Sequence, residues 1–186
     1  GFPRHSSSHT INGHSIVLPL SYCGFSFLFS GDLNDEASRF LAREHNKGTI
    51  NLRSEVFKVP HHGSADFSGA FIQAVSPIVS VVSSGDENAR KEYIHPRATL
   101  MGALGKWSRV PEPLIFVTEL VAFFQTEGPC RLKDDKAAKK RGPFFGFSRT
   151  AYGLVKTRTD GHRLFVYTDS GNVQMKEAYA YQLDSS

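Results

Sequence analysis

The sequence FSFLFSGDLNDEASRFLAREHNKGTINLRSEVFKVPHHGS, residues 25–64, decides the expected fold. It begins with a short apolar and aromatic run, Phe25 to Ser30, which is typical of a buried β-strand. A helix should follow, because apolar residues recur at positions i, i+3 and i+4: Ala37, Phe40 and Leu41. A second run, Glu55 to Val59, predicts a strand that Pro60 ends just before two histidines. The stretch therefore predicts a strand–helix–strand unit.

The same alternation extends on both sides of this unit. Upstream, residues 15–23 are apolar and strand-like and Gly24 provides a turn, so we expect a β-hairpin with Phe25 to Ser30. Downstream, four runs alternate between helix and strand: residues 67–75, 78–83, 96–107 and 114–118. Strands that alternate with helices indicate a layered α/β domain. Near the end of the chain, Thr159-Asp160-Gly161 lies between two strand-like runs and predicts a terminal hairpin.

The composition is that of an ordinary folded domain. A chain of 186 residues with 40% hydrophobic residues is long enough for one core. The formal net charge of +4 is modest, but much of the excess lies between Lys136 and Arg149. Two cysteines, Cys23 and Cys130, support no disulfide framework and favour a reducing, cytoplasmic compartment. No apolar run approaches the roughly 20 residues that cross a bilayer, so we expect no membrane span.

Polar residues follow directly after three of the apolar runs. Asp32 follows the first strand of the unit, His61 and His62 follow the second, and residues 84–88 follow the strand at 78–83. Sites in open α/β sheets form beyond the carboxyl ends of the strands. Carboxylate and imidazole groups suit borderline metals such as zinc, and an aspartate can bridge two ions. The pattern therefore favours a metal site at one edge of the sheet.

Each of these residues also has an ordinary structural interpretation. Asp32 alone suits a cap or turn before a helix, and the histidine pair alone suits a solvated turn. His45 lies at a predicted helix end, where it would interact with the terminal carbonyl groups. Three further histidines cluster near the N-terminus and could bind a metal, but in this polar, serine-rich segment we expect solvated side chains: His5, His9 and His14. Residue types alone leave both interpretations open.

Four motifs together carry a resemblance to a known family. They are N-G-H-S-I-V-L at 12–18, F-L-F-S-G-D at 27–32, K-V-P-H-H-G-S at 58–64 and I-H-P at 94–96. Their order and spacing resemble the C-terminal half of the metallo-β-lactamase superfamily, and they are most similar to the hydrolase domain of ComEC-like DNA-uptake proteins. The resemblance covers residues 12–118 well and residues 150–161 more loosely.

The resemblance implies a fold and a division of the chain. The fold is α/β, with half or more of an αββα metallo-β-lactamase-type sandwich, a mixed sheet and flanking helices. Residues 1–126 would form the C-terminal half of the domain, and residues 127–149 a basic loop or insertion. Residues 150–186 would then form a terminal β-hairpin that completes the same domain.

The resemblance also implies a dinuclear metal site. Asp32 would bridge two ions, zinc or manganese, and either His61 or His62 would ligate the second ion. The other histidine of the pair and His95 would line the substrate pocket, and a structural role for His95 is the alternative. A metal-bound hydroxide would be the nucleophile, because a divalent ion lowers the pKa of water from about 15.7 to about 7. The implied substrates are phosphodiesters, and these four residues form the candidate catalytic set.

The sequence departs from the family in one respect. The family's H-x-H-x-D-H motif, which would supply most of the ligands, occurs nowhere in this chain. Catalytic zinc ordinarily has three protein ligands and an open position, so one Asp and one His are too few. We therefore expect a fragment, inactive by itself, that needs the missing N-terminal half or a partner chain. A half sandwich would also expose an apolar sheet face, which costs on the order of 25 cal/mol per Å².

A second function class remains open. The chain could instead be a non-catalytic nucleic-acid-binding or protein-interaction module that retains the fold. In the basic loop, cations lie close to three phenylalanines and could neutralise phosphates and stack on bases. The candidate nucleic-acid-binding residues are Lys136, Lys139, Lys140 and Arg141. The alternative for this loop is a solvated surface segment.

Overall fold

The computed structural model describes residues 6–84, 95–120, 150–151, 154–169 and 178–182. The helices in these ranges are α1 (Ser7–Gly13), α2 (Asp35–Asn46), α3 (Gly69–Val75) and α4 (Ala98–Trp107), with a 3-10 turn at His61–Gly63. The strands are β1 (Leu18–Tyr22), β2 (Phe25–Phe29), β3 (Val56–Lys58), β4 (Val79–Val82), β5 (Leu114–Val117), β6 (Glu119–Leu120), β7 (Thr150–Ala151), β8 (Leu154–Thr159), β9 (Arg163–Asp169) and β10 (Ala178–Gln182). Within the described ranges, no helix combines the length and apolar character needed to cross a bilayer.

The main sheet has five strands in the order β1-β2-β3-β4-β5. β1 is antiparallel to β2, whereas β2, β3, β4 and β5 run parallel to one another. The register places Val56 beside Phe27 on one neighbouring strand and beside Val79 on the other. The carboxyl ends of the parallel strands therefore lie along one edge. The predicted α/β architecture, a mixed sheet with flanking helices, is confirmed.

Helices α2, α3 and α4 cover one face of this sheet. Phe57 of β3 packs edge-on against Phe71 of α3, with ring centroids 6.0 Å apart. Leu28 of β2 and Leu100 and Leu104 of α4 are buried in the same core. Burying each such side chain stabilises the fold by about 1.5–3 kcal/mol. This packing holds the strands, and hence the loops at their carboxyl ends, in fixed positions.

A short helix, α1, forms where the sequence predicted only a polar segment. It buries none of its own residues, so side-chain contacts attach it to the body. The Nε2 atom of His9 lies 2.8 Å from a Glu36 carboxylate oxygen, and its Nδ1 atom lies 3.2 Å from Asp66. The prediction of a solvated side chain is therefore wrong for His9, which is 22% exposed, whereas His14 is exposed and His5 lies outside the described residues.

A second sheet, in the order β10-β9-β8, covers the opposite face. Leu164 and Val166 of β9 are fully buried. They pack against side chains of the main sheet: Phe25, Phe27, Val56, Val79 and Phe116. The expectation of a bare apolar sheet face is wrong for β2 to β5. The chain covers this face of the four strands with its own C-terminal strands.

The edge strand β1 extends beyond this cover. Leu18, Leu20 and Tyr22 pair with Phe29, Phe27 and Phe25, so they lie on the face that the second sheet covers elsewhere. Nevertheless, these three side chains are 56%, 54% and 54% exposed. We call the three side chains the apolar edge. Edge strands with exposed apolar side chains readily pair with further strands.

A buried ion pair ties the loop after α4 to the start of β3. Arg109 Nη1 donates to Glu55 Oε1 at 2.6 Å, and the two side chains are 17% and 11% exposed. The other carboxylate oxygen of Glu55 accepts hydrogen bonds from the backbone and hydroxyl of Ser26. Burial lowers the pKa of Arg109, and the Glu55 carboxylate opposes that shift. The pair thus joins the loop, β2 and β3 at the amino end of the sheet.

Replacing Arg109 should destabilise the fold strongly. We expect Arg109→Met to lower the free energy of unfolding by about 3–5 kcal/mol, because Glu55 would be left as a buried charge without its partner. Urea denaturation measures this change. In the control variant Arg39→Met, an exposed pair with Asp35 is lost, and the cost should stay below about 1 kcal/mol. Equal costs for the two variants would contradict the assigned role of the buried pair.

Candidate functional site

Two loops at the carboxyl edge of the sheet are joined by direct hydrogen bonds. Gly31-Asp32 follows β2, and the histidine turn His61–Gly63 follows the neighbouring parallel strand β3. The Gly31 carbonyl accepts a hydrogen bond from the backbone N–H of His61 at 3.1 Å and another from Lys58 Nζ at 3.1 Å. The aspartate and the histidine pair are therefore brought together, as parallel pairing of β2 and β3 requires.

Asp32 is held in place by its backbone and its surroundings. Its N–H donates to Ser15 Oγ at 3.0 Å. The preceding Gly31 has φ +52°, and a Cβ atom there would lie 3.0 Å from the Ser15 side chain. Burial lowers the pKa of Lys58, and the Asp32 carboxylate opposes that shift. The carboxylate thus lies at the end of a tight turn beside a partly buried lysine.

His62 lies next to this carboxylate. Its Nε2 atom is 3.5 Å from Asp32 Oδ1, and the two side chains are 51% and 41% exposed. Its Nδ1 atom lies 2.6 Å from the Ser83 carbonyl oxygen, which can only accept. In a neutral ring, Nδ1 therefore carries the proton and Nε2 presents a lone pair on the side of Asp32.

This geometry fits a shared cation. Two ligand atoms at about 2.1 Å from one tetrahedral zinc lie about 3.4 Å apart, close to the observed 3.5 Å between His62 Nε2 and Asp32 Oδ1. A carbonyl that holds the other ring nitrogen is the usual partner of a metal-ligating histidine. The donor types, the separation and the tautomer of His62 all suit zinc. Manganese accepts the same donor types, with a stronger preference for oxygen.

His61 points to a different neighbourhood. Its Nε2 atom lies 3.3 Å from Asn12 Nδ2 of α1, and its ring centroid is 6.0 Å from that of His95. Its Nδ1 atom is buried and has no hydrogen-bond partner among the described residues. A buried polar atom without a partner costs about 1–3 kcal/mol. This atom is thus available to a group that the described chain does not supply.

The histidine turn has an unusual backbone. His61, His62 and Gly63 have consecutive positive φ angles of 49°, 52° and 87°. Residues other than glycine reach this left-handed region at a cost of about 1–3 kcal/mol each, and such strain is concentrated at functional sites. The turn therefore aims two neighbouring imidazoles in different directions, His62 towards Asp32 and His61 towards His95.

His95 reaches the site because its own segment docks on Gly63. The Gly63 carbonyl accepts from the backbone N–H of Arg97 at 2.9 Å. A Cβ atom at Gly63 would lie 2.7 Å from Pro96 Cβ, so only glycine permits this approach. Burial, then the nearby His61, Arg97 and His62, lower the pKa of His95. His95 therefore loses its proton at a lower pH than an ordinary histidine does.

A cleft of about 530 Å³ opens beside the histidine turn. It is lined by His61, Ser64, Ala65, His95, Arg97, Ala98 and Thr99. Neither Asp32 nor His62 lines it, so the site has two parts. One part is the Asp32–His62 pair, and the other is this cleft, with the histidine turn between them.

The structure thus brings together the four candidate catalytic residues: Asp32, His61, His62 and His95. The candidate nucleic-acid-binding residues Lys136, Lys139, Lys140 and Arg141 lie outside the described residues. Several contributing residues were not singled out from the sequence: Asn12, Ser15, Lys58, Ser83 and Arg97. Asn12, Ser15 and Lys58 lie within the motifs quoted above, and Arg97 directly follows the I-H-P motif. Their positions relative to the motifs could therefore have identified these four residues. The role of the Ser83 carbonyl could not be read from residue types.

The chain is similar to known competence-type proteins over about half its length. It is 41% identical over 86 residues to competence protein ComA of Neisseria gonorrhoeae, which is 46% of this chain and 12% of that protein. It is 33% identical over 98 residues to ComE operon protein 3 of Bacillus subtilis (strain 168), which is 52% of this chain and 12% of that protein. The match therefore spans 12% of the length of each relative. No family model and no solved structure matches the chain.

Replacing Gly63 should destabilise the fold more than replacing another glycine with positive φ. We expect Gly63→Ala to destabilise the fold by about 1–3 kcal/mol more than Gly48→Ala, because its Cβ would overlap Pro96. Both positions carry the cost of a positive φ, but a Cβ at Gly48 meets nothing within 4 Å. Thermal unfolding of the two variants measures the difference. Equal destabilisation would mean that the close approach of Pro96 does not constrain the site.

Proposed function

We propose that this chain is the C-terminal half of a metal-dependent hydrolase of the metallo-β-lactamase type that acts on phosphodiesters. The observation that carries the proposal is the separation of 3.5 Å between Asp32 Oδ1 and His62 Nε2, with the His62 proton held on the opposite ring nitrogen by Ser83. The similarity to competence proteins supports nucleic acid as the substrate and a role in DNA uptake.

Asp32 and His62 are the residues that would hold the metal. Zinc or manganese, when bound, would supply a hydroxide at neutral pH and polarise a phosphoryl oxygen. His62 is the better ligand of the two adjacent histidines, because its Nε2 faces the carboxylate. His61 and His95 would then contact the substrate from the cleft.

The chain's own residues would orient this site. Lys58 and the His61 backbone hold the Gly31 carbonyl, and Ser15 holds the Asp32 N–H. Ser83 fixes the ring orientation and the tautomer of His62. These contacts come from the loop between α1 and β1, from β3 and the histidine turn, and from the loop after β4. The site would therefore be organised before any ion binds. Removing the hydrogen-bond partner of a metal ligand typically lowers metal affinity by about 10–100-fold.

The proposed enzyme needs a companion segment that carries the H-x-H-x-D-H ligands. Catalytic zinc takes three protein ligands and an open position, and the chain offers Asp32 and His62. The exposed apolar edge supports the proposal of a companion segment, because a strand added beside β1 would bury Leu18, Leu20 and Tyr22. The buried Nδ1 atom of His61 gives a second reason to expect a further group at the site.

Removing either proposed ligand should weaken zinc binding. We expect Asp32→Asn and His62→Gln each to lower zinc affinity at least about tenfold, because each removes a direct donor. Isothermal titration of the full chain measures this, and the exposed His162→Gln serves as the control with unchanged affinity. With the companion segment present, Asp32→Asn should also lose metal-dependent cleavage of single-stranded DNA. DNA binding without zinc uptake would favour a non-catalytic binding module.

The apolar edge should be needed to bind the companion segment but not to stabilise the fold. We expect Leu20→Asp to change the free energy of unfolding by less than about 0.5 kcal/mol, because the side chain is exposed. The same variant should abolish recovery of activity when the H-x-H-x-D-H segment is added. Phe40→Asp, an equally exposed position on α2 at 53%, is the control that keeps activity. Full recovery in Leu20→Asp would place the partner elsewhere.

A further inference from the structure

The two neighbouring histidines of the turn differ in what lies beside their Nε2 atoms. Asp32 Oδ1 lies 3.5 Å from Nε2 of His62. Nε2 of His61 instead lies 3.3 Å from the side-chain amide nitrogen of Asn12. We infer that Asn12 fixes the tautomer of His61 and thereby reserves metal binding for His62. Asn12 is thus a positioning residue of the metal site, an assignment that rests on the proposed function.

The amide nitrogen of Asn12 leaves His61 one favourable tautomer. A side-chain amide nitrogen only donates hydrogen bonds, so the lone pair of His61 Nε2 must accept. In a neutral ring the proton then lies on Nδ1. The opposite tautomer would turn two N–H donors towards each other in a part-buried contact and lose the hydrogen bond. Asn12 therefore favours the Nδ1–H form of His61.

Both histidines of the turn thus carry the proton on Nδ1, but with opposite consequences for metal binding. The Ser83 carbonyl holds Nδ1–H of His62 and leaves its Nε2 lone pair on the side of Asp32. Asn12 occupies the corresponding lone pair of His61, whose other ring nitrogen is buried and protonated in this form. A metal ligand must offer a lone pair. His61 therefore has none to offer while Asn12 is in place.

Helix α1 and the residues that follow it hold Asn12 at this position. Before Asn12 in the chain, the His9 carbonyl accepts from Nδ2 of Asn34, the residue that caps α2, at 2.9 Å. After Asn12, the Ser15 hydroxyl accepts from the backbone N–H of Asp32 at 3.0 Å. The segment is attached to the body on both sides of Asn12. The amide can therefore lie against His61 before any ion binds.

Heteronuclear NMR of the imidazole nitrogens in the full chain, without metal, tests the tautomer directly. At about pH 8.5, well above the ordinary histidine pKa of about 6.5, imidazole rings are neutral. The protonated and unprotonated nitrogens of each ring then give well-separated resonances, and the spectrum of His61→Gln assigns those of His61. We expect the Nδ1–H form of His61 in at least about tenfold excess, because the other form opposes two donors. A His61 proton on Nε2 in the parent chain would overturn the inference.

Replacing the amide should reverse the tautomer. Asn12→Asp has the same shape, but a carboxylate only accepts, so we expect a proton on Nε2 of His61. Asn51→Asp is the matched control, because Asn51 is exposed and precedes β3, at the opposite end of the strand from the histidine turn. It should leave His61 in the Nδ1–H form. An unchanged His61 in a folded Asn12→Asp, or the same change in both variants, would contradict the role of Asn12. If Asn12→Asp does not fold, the parent spectrum decides.

Zinc added to the labelled chain tests whether Asn12 keeps His61 out of the metal site. In the parent chain we expect the Nε2 resonance of His62 to shift strongly and that of His61 to stay nearly unchanged. In Asn12→Ala the ring and its lone pair are released, so His61 should respond as well. An unresponsive His61 in Asn12→Ala, or a strong response in the parent, would refute the exclusion by Asn12. If neither histidine responds, the proposed metal site itself fails, and the metal-free spectra still decide whether Asn12 sets the tautomer.

Discussion

The hydrogen bond from the His61 backbone to the Gly31 carbonyl is the contact on which the candidate site depends. It can form only because β2 and β3 are adjacent and parallel, so that their following loops start at the same edge of the sheet. Lys58 donates to the same carbonyl oxygen from the end of β3. One acceptor thus joins the loop that carries the carboxylate to the loop that carries the imidazoles.

The strained histidine turn divides the site into two chemically different parts. His62 faces Asp32, where a carboxylate and a ring nitrogen can share a cation. His61 faces His95 and a cleft whose described lining contains Arg97 and no carboxylate. The proposed hydrolysis of phosphodiesters would use both parts, one for the metal and one for the negatively charged substrate. Gly63 connects the two parts, because its missing side chain lets Pro96 approach and so positions His95 and Arg97.

The two faces of the main sheet are protected by different means. Helices pack on one face, and the second sheet, β8 to β10, packs on the other. Because the C-terminal strands cover β2 to β5, the proposed companion segment is not needed to cover the core at these strands. The proposal of a companion segment rests instead on the exposed apolar edge of β1 and on the two candidate metal ligands, Asp32 and His62, which are fewer than a catalytic zinc needs.

The sequence alone was sufficient to determine the alternation of strands and helices, the layered α/β class and the placement of Asp32 and the histidine pair directly after strands of the same unit. These features follow from local patterns of apolar residues and turn residues, which act over a few positions along the chain. Only the tertiary structure decided that His62 rather than His61 faces Asp32, since that depends on backbone angles in the turn and on a carbonyl from Ser83. It also decided that the C-terminal strands cover the sheet, that α1 is attached through His9, and that Arg97 lies at the cleft. These contacts join residues far apart in the chain, and no local pattern specifies such distances.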